Sequence, residues 1–231
     1  MMNNVNLLEL SNDATLPNIA VAIAGSPVTG FLGQRHIGVL IGGEHDPVLL
    51  HLGWHNMFSL NTPPDKTYFW AEACVNINPG IVESFSDWLI DLWNVNQNEI
   101  GYSLIYDYNK KYFDGEDGAL LIKAPGTGLT CATFVAECFK CFGLQFIDFS
   151  SWPVREEDTA WFGKMIEIMK KCKLPSEHIE NQENADMGCR FRPEEVFAAA
   201  HLAKPKIEID FDTAEPASKL VLNMMREKGK Y

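Results

Sequence analysis

Gly126-Thr-Gly-Leu-Thr-Cys131-Ala-Thr-Phe-Val-Ala-Glu-Cys-Phe-Lys-Cys-Phe-Gly143 is a glycine loop that turns into a helix with a cysteine on its first turn. Gly126 and Gly128 allow a close backbone approach, and Thr130 stands where an N-cap is wanted. Cys131, Phe134 or Val135, Cys138 and Phe142 then recur at helical spacing, which predicts a buried apolar face. Gly143 falls where a C-capping glycine ends such a helix. A helix N-terminus carries unpaired N–H groups and a partial positive charge. Both favour the thiolate, the reactive form of cysteine. The plainer alternative is a small buried residue on an amphipathic helix. The sequence upstream weighs against that alternative.

Upstream stands Gln34-Arg-His36-Ile-Gly-Val-Leu-Ile-Gly-Gly-Glu-His-Asp-Pro-Val-Leu-Leu-His51-Leu-Gly-Trp54. Ile37 to Ile41 is a short β-rich run, Gly42 to Pro47 a turn cluster, and Val48 to Leu50 opens a second run. The pattern predicts a hairpin. His36 begins the first strand and His51 lies on the second. Residues on one face of an antiparallel pair lie about 5 Å apart, so a suitable register makes the two imidazoles neighbours. A cysteine nucleophile needs a base, and the base needs a third group to hold its tautomer. Cys131, His36 and His51 are the residues predicted to fill those roles, with His55 as the alternative third member.

The run His-Ile-Gly-Val-Leu-Ile-Gly with Leu-Leu-His51 resembles the histidine hairpin of NlpC/P60-type cysteine peptidases. Thr130-Cys131-Ala-Thr-Phe-Val-Ala-Glu resembles the loop-to-helix nucleophile of the same superfamily. Here histidine precedes cysteine, an order similar to the circularly permuted branch with its YiiX-like hydrolases and lecithin:retinol acyltransferase-like enzymes. Ile100-Gly-Tyr-Ser-Leu-Ile-Tyr-Asp107 resembles the strand ahead of the nucleophile in YiiX-like proteins. The likeness spans roughly residues 30–145. Two positions depart from the pattern. His51 stands where some members carry an acidic residue, and Ala132 replaces the usual serine after the cysteine.

The resemblance implies an α+β, papain-like (permuted NlpC/P60) antiparallel sheet packed on the nucleophile helix. Residues 1–150 would form this unit, and 151–231 a mostly helical C-terminal extension on the same core. It implies a cysteine hydrolase of peptidase or amidase type that cleaves an amide or isopeptide bond with Cys131, His36 and His51. No metal or cofactor is called for. Substrates would be a peptide, a peptidoglycan fragment or an acyl group. Acyl transfer or thioester cleavage by the same triad is the alternative, as is a non-catalytic binding protein on the same fold.

The chain has 231 residues, 46% of them hydrophobic and 22% charged, an ordinary composition with ample length for a core. A formal net charge of −12 disfavours general binding to nucleic acid or anionic membrane. Ile19 to Gly25 is apolar but too short to span a bilayer. Asn3, Asn4, Glu9 and Asp13 precede any Lys or Arg, so no basic signal region is read. A cytoplasmic location is expected, or export by a route that needs no cleavable signal. The six cysteines then read as free thiols.

Elsewhere, Asn18 to Ala24 is a strand or a short helix, and Ser26 to Gly33 a loop. Asn56 to Lys66 reads as loop, broken at Pro63-Pro64, and Thr67 to Val75 as strand. Ile81 to Val95 is amphipathic, with Phe85, Trp88, Leu89 and Leu92 on one face. Tyr102 to Tyr108 alternates like a strand. Glu156 to Cys172 is helical, Leu174 to Gly188 a polar surface loop, and Pro193 opens a helix to about Ala203. Lys206 to Phe211 reads as an edge strand and Ala214 to Lys228 as a closing helix.

Three other patterns carry less. Gly126 to Thr130 resembles a phosphate loop, but Leu129 occupies the required lysine position. Cys138 and Cys141 form a lone C-x-x-C, better explained by core packing than by zinc. His45, His51 and His55 would need a helix to share a metal, and Gly53 with its β-rich flanks argues against one.

Overall fold

A computed structural model of the chain describes residues 7–9, 16, 18–25, 34–42, 46–62, 67–73 and 77–228. The Ser26 to Gly33 loop, the Gly43 to His45 part of the turn, the Pro63-Pro64 breaker and Cys74 lie outside them. The fold is α+β, and the described residues form one six-stranded antiparallel sheet. Its strands are β1 (Leu8–Glu9), β2 (Ile19–Gly25), β3 (Arg35–Ile41), β4 (Val48–Trp54), β5 (Met57–Asn61) and β6 (Phe69–Glu72), in the order β1-β6-β2-β3-β4-β5.

Strand β5 replaces the loop that Asn56 to Lys66 predicts. The chain reverses at once after β4 because Asn56 takes a left-handed φ of 58°, a conformation asparagine tolerates better than most residues.

Alternation gives the sheet two faces. Ile37, Val39, Leu50 and Leu52 point into the main core. Leu40, Leu49, Tyr68 and Trp70 form a smaller cluster on the other face. His36 and His51 fall on this second face, in step with Leu40 and Leu49.

Among the described residues six α-helices accompany the sheet: α1 (Pro79–Val95), α2 (Cys131–Cys141), α3 (Thr159–Lys171), α4 (Ser176–Asn184), α5 (Pro193–Leu202) and α6 (Phe211–Glu227). The buried face of α1 is Phe85, Trp88, Leu89 and Leu92. Helix α2 is buried from Cys131 to Phe139 and packs on β3, β4 and α5. Helix α5 is itself buried from Glu194 to Ala200. The C-terminal helices α5 and α6 thus share the core that holds α2.

Three further expectations are corrected. Tyr102 to Tyr108 belongs to no strand, with a bend at Leu104 and a turn beginning at Tyr108. Tyr102 N–H donates to His55 Nδ1 at 3.2 Å and Leu104 N–H to Gln182 Oε1 at 2.7 Å, while Ser103 N–H donates to Leu129 O. Leu174 to Gly188 contains α4 rather than being all loop. Two of the three residues α4 buries are the polar His178 and Gln182, which hides the helix from an apolar periodicity. Lys206 to Phe211 makes only the isolated bridges Ile147↔Ile209 and Lys204↔Ile207, and Phe211 already begins α6.

Gln182 ties α4 to both segments beside the glycine loop. Its amide also donates to Gly126 O at 2.5 Å and to Ser103 Oγ at 3.1 Å. Replacement by leucine of similar volume leaves Leu104 N–H and Gly126 C=O buried without this partner. Gln182→Leu is expected to cost roughly 2–3 kcal/mol in urea unfolding, and a loss below about 0.5 kcal/mol contradicts this role.

Candidate functional site

The Cys131 end of α2 is built as its residues require. Thr130 caps the helix, with Thr133 N–H donating to Thr130 Oγ1 at 3.2 Å and Thr130 N–H donating to Thr133 Oγ1 at 2.8 Å. At the far end Gly143 has φ 87°, and the N–H groups of Gly143 and Leu144 close onto Lys140 O and Phe139 O. The loop before the cysteine is pinned by Gly128 against Gly101. A Cβ at Gly128 would stand 2.0 Å from Gly101 O.

The hairpin brings the two histidines together. Register pairs Val39 with Leu50 and Leu40 with Leu49, so one step further His51 faces Gly38. A Cβ at Gly38 would lie 2.8 Å from His51 Cβ and 2.7 Å from Leu50 O. The bare glycine therefore leaves the His51 ring free to lean toward His36, its diagonal neighbour. His36 Nε2 and His51 Nδ1 are 2.8 Å apart, with the rings at 81°. His51 Nε2 lies 3.1 Å from Asn61 Nδ2 on β5.

Both imidazoles are held neutral. Burial lowers His36 to about 3, helped by its neighbour His51. Burial also lowers His51, opposed by the Asn61 hydrogen bond. The proton order along the line then follows from Asn61. As oriented, its amide donates to His51 Nε2, so His51 donates from Nδ1 to His36 Nε2, and the remaining His36 proton sits on Nδ1. Rotating the amide by half a turn reverses every bond and leaves Nδ1 of His36 unprotonated. Asn61 thus selects the tautomer of His36. Sequence reading missed it because it lies within the stretch taken for a loop.

Cys131 and both histidines line one cavity of about 890 Å³. Among the described residues no hydrogen bond joins the Cys131 sulfur to His36. The sulfur instead meets backbone amides at Ile37 and Ala132 and its own N–H, all of which favour the thiolate. Burial outweighs them and pushes the thiol up to about 11. The helix N-terminus therefore does not yield a resting thiolate, because Cys131 is only 8% exposed.

His55 is not part of this line. Its ring packs on His178 with centroids 4.6 Å apart, and its Nδ1 accepts from Tyr102 N–H. Cys138 is fully buried in the core, and Cys141 Sγ donates to Glu137 at 3.0 Å. Among the described residues no group of three or more His, Cys, Asp or Glu could hold a metal ion, and no helix is long and apolar enough to cross a membrane. No family model, curated protein or solved structure matches this chain.

The depressed histidines set a pH dependence. Above about pH 6.5, the ordinary value of an imidazole, folded and unfolded chains carry both rings neutral. As pH falls from there toward 3, the unfolded chain takes up a proton that folded His36 refuses, so stability falls across that window. Urea unfolding at pH 7 and pH 4.5 should show the loss, and His36→Gln should reduce it. An equal loss in both proteins contradicts the burial of a neutral His36.

Proposed function

We propose that the chain is a cysteine hydrolase of the permuted NlpC/P60, papain-like type, cleaving an amide or isopeptide bond with Cys131, His36 and His51. The reading is carried by one observation: a hydrogen-bonded histidine pair and a cysteine on the first turn of a helix, distant in sequence, line the same cavity.

Resting thiol and imidazole are both neutral, so proton transfer accompanies attack. Sγ of Cys131 bonds to the carbonyl carbon while its proton passes to Nδ1 of His36, the nitrogen that His51 does not engage. This nitrogen is open when the Asn61 amide is turned so that its oxygen accepts from His51 Nε2; His51 then accepts from His36 Nε2, and the two side chains share the charge that develops. The carbonyl oxygen gains negative charge near the amides of Cys131 and Ile37, which suit an oxyanion. His36 then protonates the departing amine. Water, deprotonated by the same ring, releases the acyl group from sulfur.

Two observations keep other readings alive. Trp54, Met57, Trp161, Met165 and Ile168 give the cavity an apolar wall, which would suit an acyl chain and hence acyl transfer or thioester cleavage. The raised thiol pKa suits a binding protein that keeps the fold without turnover.

The test is acylation by p-nitrophenyl acetate, followed by intact-mass and peptide mapping. A single acetyl group on Cys131 is expected, absent in Cys131→Ala and slowed roughly 10²- to 10⁴-fold in His36→Ala. Asn61→Asp, which can only accept from His51, should keep or raise the rate, whereas Asn61→Leu should lower it. Acetylation of Cys131 at equal rates in wild type and His36→Ala would remove the base from the mechanism.

A further inference from the structure

Arg190 lines the same cavity and plays no part in the chemistry described above. Its guanidinium lies over the Trp161 ring, 3.8 Å from the centroid. Nη1 donates to Asp158 Oδ1 at 3.0 Å. Among the described residues this is the one hydrogen bond made by its side chain, out of the five N–H donors a guanidinium carries. The side chain is 20% exposed, and none of its nitrogens is a buried donor lacking a partner.

The neighbouring charges are occupied with each other. Asp158 also receives Arg155 Nε and both Nε and Nη2 of Arg192. Glu195 binds Arg155, Glu157 binds Arg192, and Glu194, whose charge also reaches Arg190, faces Arg35 at 3.8 Å. Formal charges in this network cancel, so directed donors rather than excess charge single out Arg190. Asp158 and Trp161 fix the plane of the guanidinium, which pre-organises the donors left over. The charge of Arg190 is felt at the Cys131 sulfur and at the buried Tyr102 phenol.

We infer that Arg190 is a specificity-determining residue that binds a carboxylate on the substrate, close to the bond opened by Cys131. The inference rests on the reading of Cys131 as nucleophile and narrows its substrates to acyl compounds with a free carboxylate near the reacting carbonyl. The apolar wall of Trp54, Met57 and Met165 would take the adjoining apolar group.

The test uses the full chain with iodoacetate and iodoacetamide, reagents of nearly equal size that differ by a charge. Glutathione in the same solution is the reference, because its thiolate repels iodoacetate and reacts faster with the amide. At Cys131 the preference should shift toward iodoacetate by roughly tenfold relative to glutathione, about the effect of one charge-assisted hydrogen bond. Arg190→Gln should abolish the shift and Arg190→Lys should keep part of it. A second measurement does not use the sulfur. N-acetylphenylalanine, but not its amide, should raise the Tm of the wild type and of Cys131→Ser, and not that of Arg190→Gln.

The absence of any shift toward iodoacetate, or a shift unchanged in Arg190→Gln, overturns the inference. A Cys131 inert to both reagents overturns the nucleophile reading instead. N-acetylphenylalanine then decides the role of Arg190, supporting it if stabilisation depends on Arg190 and overturning it if not.

Discussion

The site depends on a missing side chain. His51 faces Gly38 across β3 and β4, and the 2.8 Å that a Cβ would leave to His51 Cβ is too short for any other residue. With that space open, the His51 ring reaches His36 Nε2 rather than standing upright from the sheet. The strand register fixes the meeting, because a slip of one residue would turn His51 to the opposite face. Asn61, one strand further, then completes a line of three polar side chains beside the cluster of Leu40, Leu49 and Trp70.

Burial sets the electrostatics of the cavity. It acts on all three groups in the direction of neutrality, lowering both histidines and raising the thiol. The amides around Cys131 act the other way and lose. A site of this kind stores no ion pair. It would develop charge only as a substrate reacts, when an oxyanion and an imidazolium form together and the surrounding dipoles are already in place. The ion network of Arg155, Asp158, Arg190, Arg192 and Glu195 brings Arg190 and Arg192 to the cavity and ties the start of α5 to the segment before α3.

What the sequence revealed tracks how local each signal is. The α2 stretch was legible because Thr130, the apolar spacing and Gly143 each act within a few residues. The histidine hairpin was legible for the same reason. Strand β5 was not, because a single asparagine makes the turn before it. Helix α4 was hidden because His178 and Gln182 face inward to serve the backbone of another segment. Tyr102 to Tyr108 alternates like a strand, yet Tyr102 N–H donates to His55 and Leu104 N–H to Gln182 rather than to a neighbouring strand. Asn61 and Arg190 carry no local signature, since only the fold brings them to the cavity.

The central claim is that the sulfur of Cys131 and the ring of His36 act on one bound molecule. The bifunctional reagent 1,3-dibromoacetone, which joins a thiol to a nearby imidazole across one ketone, tests this directly. Peptide mapping after reaction should recover the Cys131 peptide linked to the His36 peptide, with the exposed Cys172 replaced by serine to remove its competing thiol. Recovery of Cys131 carrying the reagent on one arm alone, or linked to another residue, would contradict the account.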